Sequence, residues 1–126
     1  METQVRSALR ITFLVHAIVA WIFGLVILLI PETFGSAWGY TVLEPATWRL
    51  VGAALVAFGT SSLLAYRQKI WEKVKIVVQM EVVWCVLGAL VMLWGLFYAG
   101  LPVAFWTNTI LLGVFAVAFG ALYYRQ

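Results

Sequence analysis

The chain has 126 residues, of which 65% are hydrophobic and only 10% are charged, and its mean hydropathy is strongly positive. A soluble domain of this length needs a far more polar exterior, so the composition excludes a soluble globular protein and indicates lipid as the solvent. The net charge of +3 comes from short basic clusters beside apolar segments. That arrangement is typical of topology control and argues against nucleic-acid binding.

The first predicted membrane span covers about residues 11–30 and ends at Pro31, where a helix would lose a backbone donor. The apolar run is too long for a cleaved signal peptide and no small-residue cleavage motif follows it, so we expect it to be retained. A loop without Lys or Arg is predicted between Pro31 and Pro45. Pro45 suits the first position of a helix, which starts the second span at about 46–66.

A short basic connection over residues 67–75 leads into the third span, at about 75–98. An uncharged turn precedes the fourth span, at about 103–124. Four spans of about 20 residues with short connections account for nearly the whole chain. We therefore predict an all-α fold: a single domain, residues 1–126, forming an integral membrane four-helix bundle with up-down-up-down topology.

The basic residues are distributed very unevenly between the two sides of the predicted bundle. Seven of the eight Lys and Arg residues lie in the two termini and the middle connection, whereas Arg49 lies near the other side. The positive-inside rule places both termini in the cytoplasm, and we expect a prokaryotic plasma membrane. The same bias argues against a dual-topology dimer, in which identical chains insert in both directions.

Spans two and four have similar sequences. The segments 52–59 and 113–120 both begin and end with Gly and share several residues, and Tyr-Arg-Gln follows both spans. One interpretation is a duplication of two helical hairpins related by an axis normal to the membrane. The other is chance similarity within a small apolar alphabet, since the alignment needs a three-residue gap inside a helix. Both interpretations stay open from the sequence.

Glycine recurs at a spacing of seven residues in three of the spans. Residues seven apart lie on one face of a helix, and small residues allow helices in lipid to approach closely. We predict helix packing at the following positions: Gly52, Gly59, Gly88, Gly95, Gly113 and Gly120.

Glu81 is the most informative single residue. It lies about 10 Å into the third span at 1.5 Å per residue, on the face of Gly88 and Gly95, so we predict that it faces protein. A carboxylate at such a depth costs about 2.5–3.5 kcal/mol on insertion scales and is often functional. The alternative is that Glu81 lies near enough to the interface to meet Lys75 or water.

His16 lies at nearly the same depth in the first span, and other polar residues share this half of the membrane. The predicted intramembrane polar site comprises Glu81, His16, Gln79, Ser61 and Ser62. A His and Glu pair in a low dielectric could exchange a proton near neutral pH. The competing interpretation, which we prefer from the sequence, is a structural His16 bonded to a neighbouring hydroxyl or carbonyl.

A second candidate site lies near the membrane surface opposite to the two termini and comprises Arg49, Glu44 and Asn108. These residues could bind an anion or a lipid headgroup. The alternative, which we prefer, is that Arg49 extends to the interface and pairs with Glu44 or Glu32, while Asn108 makes ordinary interhelical hydrogen bonds.

No catalytic motif is present in the sequence. It contains no nucleophile and base pair, no phosphate-binding glycine loop and no metal-ligand spacing, and His16 is the only histidine. We therefore predict neither a cofactor nor a metal, and an enzyme is the least favoured class.

The segment from Gly24-Leu25 to Pro31, followed by Trp48-Arg49-Leu50-Val51-Gly52-Ala53-Ala54, resembles small four-span bacterial and archaeal membrane proteins of the DoxX-like kind. The resemblance covers about the first half of the chain and implies a four-span fold. Relatives of that kind include accessory subunits of quinone-linked oxidoreductases, but none of their cofactor-binding motifs is present here.

Two functional hypotheses follow. The first is a non-catalytic module in contact with membrane lipid, which packs with itself or a larger membrane partner or binds a lipophilic molecule. The alternative is an oligomeric proton-coupled transporter or channel in which Glu81 titrates.

Overall fold

The computed structural model describes residues 2–126, and these form an all-α helical bundle, which confirms the predicted fold class. Four of its helical segments are long and apolar enough to cross a membrane. The helices are α1 (Ser7–Leu29), α2 (Pro31–Ala37), α3 (Pro45–Tyr66), α4 (Trp71–Tyr98) and α5 (Trp106–Tyr124), and a 3₁₀ turn at Val103–Phe105 precedes α5.

Two of the long helices begin about one turn before their apolar runs. Helix α1 starts at Ser7 and includes Arg10, and α4 starts at Trp71 and includes Lys73. Long basic side chains at a helix end can place their charge in the interface while the stem covers apolar surface. Hydrophobicity alone therefore locates the membrane-embedded part of each helix rather than its ends.

The connection between the first two spans is not the loop that we predicted. Pro31 occupies the first turn of the short helix α2, where its missing N–H is not needed. Phe34 on this helix is buried, and its ring packs against Phe23 of α1 and Trp38. The seven residues of α2 show no helical pattern of hydrophobic residues, so the packing of the Phe34 ring against other parts of the chain stabilises this helix.

The bundle consists of two closely packed hairpins. Helix α1 packs along most of α3, and α4 packs along most of α5, whereas α1 meets α5 and α3 meets α4 over narrower contacts. The bundle therefore has two tight interfaces and two loose ones. A pair of hairpins is the arrangement that a duplication would produce, and the duplication itself stays a prediction.

Backbones approach closely in the α1–α3 hairpin. A Cβ atom added at Gly52 would stand 2.5 Å from the backbone nitrogen of Leu28 and 2.8 Å from the carbonyl oxygen of Gly24. A Cβ at Gly59 would collide with the indole of Trp21. Small residues at these positions let the two helices make close van der Waals contact, which drives helix association in lipid.

The other predicted packing glycines differ among themselves. Gly88 lies against the side chain of Leu112 on α5, and Gly95 lies under Leu101 in the turn after α4. Gly113 and Gly120 have no heavy atom within 4 Å of an added Cβ. Within residues 2–126 these two glycines therefore pack against no other helix. The face of α5 that packs into the bundle is the one that carries the buried side chains of Phe115 and Phe119.

Both termini and the middle connection meet at one end of the bundle. The Val5 N–H donates to the Lys69 carbonyl at 2.8 Å, and the Arg6 N–H donates to the Gln126 side chain at 3.3 Å. We call this the basic end, since the clusters around residues 6–10, 67–75 and 125 lie there. The shared position of the three segments agrees with the topology derived from charge.

Candidate functional site

Three polar side chains from three helices meet inside the bundle. They are His16 of α1, Ser62 of α3 and Glu81 of α4, and all three are buried, with Ser62 and Glu81 at 0% exposure. Glu81 lies about 15 Å from the first residue of α4 at 1.5 Å per residue. The trio therefore connects the α1–α3 hairpin to α4 of the other hairpin, at one of the loose interfaces.

The hydrogen bonds define how protons are arranged in this trio. The Ser62 hydroxyl donates to Glu81 Oε1 at 3.1 Å, and Ser62 Oγ lies 2.7 Å from His16 Nδ1. A serine hydroxyl has a single proton, so Ser62 must accept its second bond from an Nδ1–H group. In a neutral imidazole that tautomer leaves a lone pair on His16 Nε2.

This lone pair faces a second acceptor. Glu81 Oε2 lies 3.4 Å from His16 Nε2, and it is the buried side-chain polar atom of residues 2–126 that has no hydrogen-bond partner. Leaving a buried acceptor without a donor costs about 1–3 kcal/mol, and more when the group is charged. The pair of atoms is therefore suited to hold a cation between them, either a proton or a metal ion.

Cys85 extends the trio along α4. It is fully buried, lies one turn after Glu81, and its sulfur lies within 4.8 Å of the ligand atoms of both His16 and Glu81. Cys85 was not among the predicted residues of the intramembrane polar site. The signal was available in the sequence, because residues four apart share one face of a helix.

Aromatic rings enclose the histidine. The edges or faces of Phe115 and Phe119 of α5 meet the His16 ring at centroid distances of 4.8 Å and 5.6 Å, both near perpendicular. These contacts hold the imidazole plane and keep water away from it. Charges in the trio are therefore poorly screened and depend strongly on one another.

The remaining predicted members of the polar site lie elsewhere. The Gln79 side chain donates to the Tyr123 hydroxyl at 3.0 Å on an exposed surface. Ser61 is half-buried and lies about 100° around α3 from Ser62. Glu81 makes no ion pair with Lys75, since the His16 contact is the one ion-pair distance among the described residues. Glu81 is fully buried between helices, so the alternative that it meets Lys75 or water near the membrane interface is wrong.

The candidate site at the other side does not assemble. The Glu44 carboxylate caps α3 by accepting bonds from the N–H groups of Ala46 and Thr47, each at 2.8 Å. The side-chain and backbone hydrogen bonds of Thr47 lower the pKa of Glu44 below its ordinary value. Arg49 is exposed, and within residues 2–126 no acidic group lies within ion-pair distance of it. The expected pairing of Arg49 with Glu44 is wrong, because the carboxylate serves as a helix cap.

Asn108 makes a side-chain hydrogen bond to the residue that follows the short helix α2. Its Oδ1 accepts a bond from Trp38 Nε1 at 3.1 Å, and the Trp38 ring stacks on Phe34 of α2 at a centroid distance of 4.6 Å. The short helix and its aromatic side chains thus cover the end of the bundle opposite to the basic end. With Oδ1 engaged, the amide NH₂ group of Asn108 is the one left to bond a ligand.

A cavity of about 170 Å³ lies between the four long helices. His16 lies at one end of it and Asn108 at the other, and the rest of the lining is almost entirely apolar. The lining residues of α1 run from His16 to Ile27, which corresponds to about 16 Å along the helix. The cavity is therefore long, narrow and apolar, with one polar group at each end.

No known protein family, curated protein or solved structure matches this chain. The DoxX-like resemblance stays a prediction. The four apolar helices identify a membrane protein, and the geometry of the cavity and of the trio carries the argument for its function.

Proposed function

We propose that this membrane protein binds one lipophilic molecule with a single hydrocarbon chain inside its bundle. The polar end of the ligand lies at Asn108 and the chain extends towards His16. The single observation that carries this proposal is the apolar cavity of about 170 Å³ between the two hairpins. Ligand sites are typically concave and apolar with a few convergent polar groups, and this cavity has that character.

The shape of the cavity favours a chain over a ring system. An engineered apolar cavity of about 150 Å³ accommodates a benzene molecule. Here a similar volume extends over about 16 Å of helix length, so its cross-section suits one extended chain and is too small for fused rings. A short stretch of an acyl or isoprenoid chain fits this volume, and the rest of such a ligand would extend out of the cavity.

The polar groups define the orientation of the ligand. At the His16 end, Nδ1 is bonded to Ser62 and Nε2 faces Glu81, so the histidine offers the ligand mainly the surface of its ring. At the other end the Asn108 amide can donate to a carbonyl, ester or hydroxyl oxygen. A ligand with an acceptor head and an apolar tail matches this polarity.

The test combines native mass spectrometry of the protein released from lipid nanodiscs with a matched pair of variants. Val19→Phe places a ring in the cavity, whereas Val117→Phe adds the same ring at an exposed position of α5. We expect a retained single-chain lipid in the unmodified protein and in Val117→Phe, and its loss in Val19→Phe. Retention in both variants, or no retained molecule in any of them, would contradict the proposal.

A second candidate function rests on the buried trio. Glu81 Oε2, which has no hydrogen-bond partner, lies beside His16 Nε2, and a proton shared between them could take part in proton-coupled transport. Leu9, Phe13 and Phe119 fill the bundle between this pair and the basic end, so a path would have to form between chains in an oligomer. Proton flux into liposomes that disappears in Glu81→Gln, together with an oligomer in the bilayer, would support this function. A strictly monomeric protein would exclude it.

We also propose that the basic end faces the cytoplasm of a prokaryotic plasma membrane, as the charge distribution predicts. Gln68→Cys lies at the basic end and Thr41→Cys at the opposite end, and the native Cys85 is buried. In intact cells a membrane-impermeant thiol reagent is expected to label Thr41→Cys and not Gln68→Cys. The reverse labelling would invert the proposed topology.

A further inference from the structure

We propose that His16, Glu81 and Cys85 form a binding site for one divalent metal ion of the zinc type, buried in the middle of the bundle. The site shares His16 with the lining of the lipophilic cavity, but Glu81 and Cys85 do not line that cavity, so the ion would lie beside the cavity and not in it. Imidazole nitrogen, carboxylate oxygen and thiolate sulfur are the three ligand types that zinc uses in proteins.

The distances fit three of the four positions of a tetrahedral zinc ion, and zinc sites with three protein ligands take a water molecule in the fourth. Zinc bonds of about 2.0–2.1 Å to nitrogen and oxygen place these two ligand atoms about 3.4 Å apart at a tetrahedral angle. His16 Nε2 and Glu81 Oε2 are 3.4 Å apart. The Cys85 sulfur lies within 4.8 Å of a ligand atom of each of the other two residues, so a shift of at most about 1 Å lets it form the 2.3 Å bond of a zinc thiolate.

The hydrogen bonds of Ser62 prepare two of the three ligands. The hydroxyl accepts from His16 Nδ1–H, which leaves the Nε2 lone pair free, and it donates to Glu81 Oε1, which leaves Oε2 as the coordinating oxygen. Outer partners of this kind fix the tautomer and the orientation of metal ligands. An ion bound between Nε2 and Oε2 also satisfies the one buried polar atom that the protein leaves without a partner.

The charge balance selects a divalent ion. A neutral imidazole, one carboxylate and one thiolate together carry two negative charges, so a divalent ion makes the whole site neutral. Neutrality matters because an uncompensated charge at this depth is costly. Calcium and magnesium prefer six or more oxygen ligands, which this site cannot offer. The ligand set therefore favours zinc over both, and over monovalent copper, which would leave a net negative charge.

Burial determines how the ion enters and leaves. All three ligand residues are less than 5% exposed, and they come from both hairpins. We expect the ion to bind as the hairpins associate during folding and to exchange slowly with chelators in the folded protein. Release should become rapid when detergent separates the helices.

The test measures metal content of the full chain in nanodiscs after reconstitution with Zn²⁺, and in parallel with Co²⁺ as a spectroscopic probe. We expect one zinc ion per chain, and at least tenfold weaker binding in each of His16→Gln, Glu81→Gln and Cys85→Ser. Glu72→Gln is the matched control for Glu81→Gln, because Glu72 is an exposed carboxylate on the same helix. The control variant should bind as the unmodified protein does.

The cobalt form separates this site from adventitious binding. Coordination by the single cysteine of the chain gives a sulfur-to-cobalt charge-transfer absorption, which should be present in the unmodified protein and absent from Cys85→Ser. Zinc held only by surface carboxylates would give no such band and would be lost equally in Glu72→Gln. Absence of the band or of stoichiometric zinc from the unmodified protein overturns the proposal, and this outcome does not depend on whether any variant folds.

Discussion

The close contact between α1 and α3 predicts that replacing Gly by Ala changes the stability of the bundle differently at two positions of similar sequence. Gly52 and Gly113 occupy corresponding places in the two similar segments, 52–59 and 113–120. In Gly52→Ala the new methyl group would stand 2.5 Å from the Leu28 nitrogen and 2.8 Å from the Gly24 oxygen, whereas in Gly113→Ala it meets nothing within 4 Å. Only the first substitution forces two helix backbones apart.

The expected magnitudes follow from these contacts. Overpacking against rigid backbone typically costs about 1–3 kcal/mol. Replacing a helical glycine by alanine contributes about 0.5–1 kcal/mol in the opposite direction. We therefore expect Gly52→Ala to lower the free energy of unfolding by about 1–2 kcal/mol and Gly113→Ala to leave it unchanged or raise it slightly.

The assay is reversible unfolding in mixed micelles of increasing SDS fraction, followed by circular dichroism. Gly59→Ala should behave as Gly52→Ala does, since its methyl group would meet the Trp21 ring. Equal stability of Gly52→Ala and Gly113→Ala would refute the close backbone approach. A loss of stability in Gly113→Ala alone would mean that a second chain packs against α5.

Two further predictions concern the ends of the bundle. The folded state lowers the pKa of Glu44 from its ordinary value of 4.5, so the cap stabilises α3 above about pH 4.5 and this stabilisation is lost as the pH falls through the lowered pKa. We expect hydrogen exchange of the Thr47 amide to become faster in acid. In Glu44→Ala the exchange should be equally fast already at neutral pH. Arg10 Nε donates to the Tyr66 carbonyl at 3.2 Å and its guanidinium lies 5.1 Å from the Tyr66 ring centroid. Arg10→Lys keeps the charge but loses this geometry, and we expect a loss of about 0.5–1.5 kcal/mol in the same SDS assay.

The sequence was sufficient to predict the four long helices and not the short one. A membrane span is a long uniform signal, because each residue of an apolar run of about 20 contributes to it. Helix α2 has only seven residues, and its position depends on Phe34 fitting against Phe23 and Trp38. That contact brings together residues from separate elements, so no local pattern reveals it.

Depth in the membrane could be read from the sequence, but rotation around each helix could not. His16, Ser62 and Glu81 were predicted together because they lie at similar depth, and the structure brings them into contact. Ser61 was included on the same grounds and lies on another face. One residue changes the direction of a side chain by about 100°, and only the packing of the hairpins sets which face is inward.

Glu44 bonds to the backbone at the start of α3 and does not form the ion pair with Arg49 that the sequence suggested. Its charge next to Arg49 suggested an ion pair between exposed groups, an interaction that is typically weak. Two backbone N–H groups at the start of α3 have no partner within the helix, and the carboxylate satisfies both. Glutamate is not among the usual N-cap residues, which is why the sequence alone did not suggest the cap.

The buried trio raises the question of why a carboxylate, rather than an amide, occupies position 81. Hairpins in lipid gain little from burying apolar surface, so hydrogen bonds across their loose interface help to set the register. A glutamine at this position could serve that purpose better. Its oxygen would still accept from Ser62, and its NH₂ group would stand in place of Oε2 and donate to the His16 Nε2 lone pair.

Relative to the metal-free unmodified protein, Glu81→Gln is therefore expected to stabilise the bundle by about 1–3 kcal/mol, because it removes the unsatisfied buried acceptor. The same variant should lose zinc, since an amide supplies no negative charge to the site. Unfolding in SDS of metal-free samples tests the first effect, and metal content after reconstitution with Zn²⁺ tests the second. Higher stability with loss of metal would mean that the carboxylate is retained for the cation it binds. Lower stability without any change in metal content would mean that Glu81 acts only in holding the hairpins together.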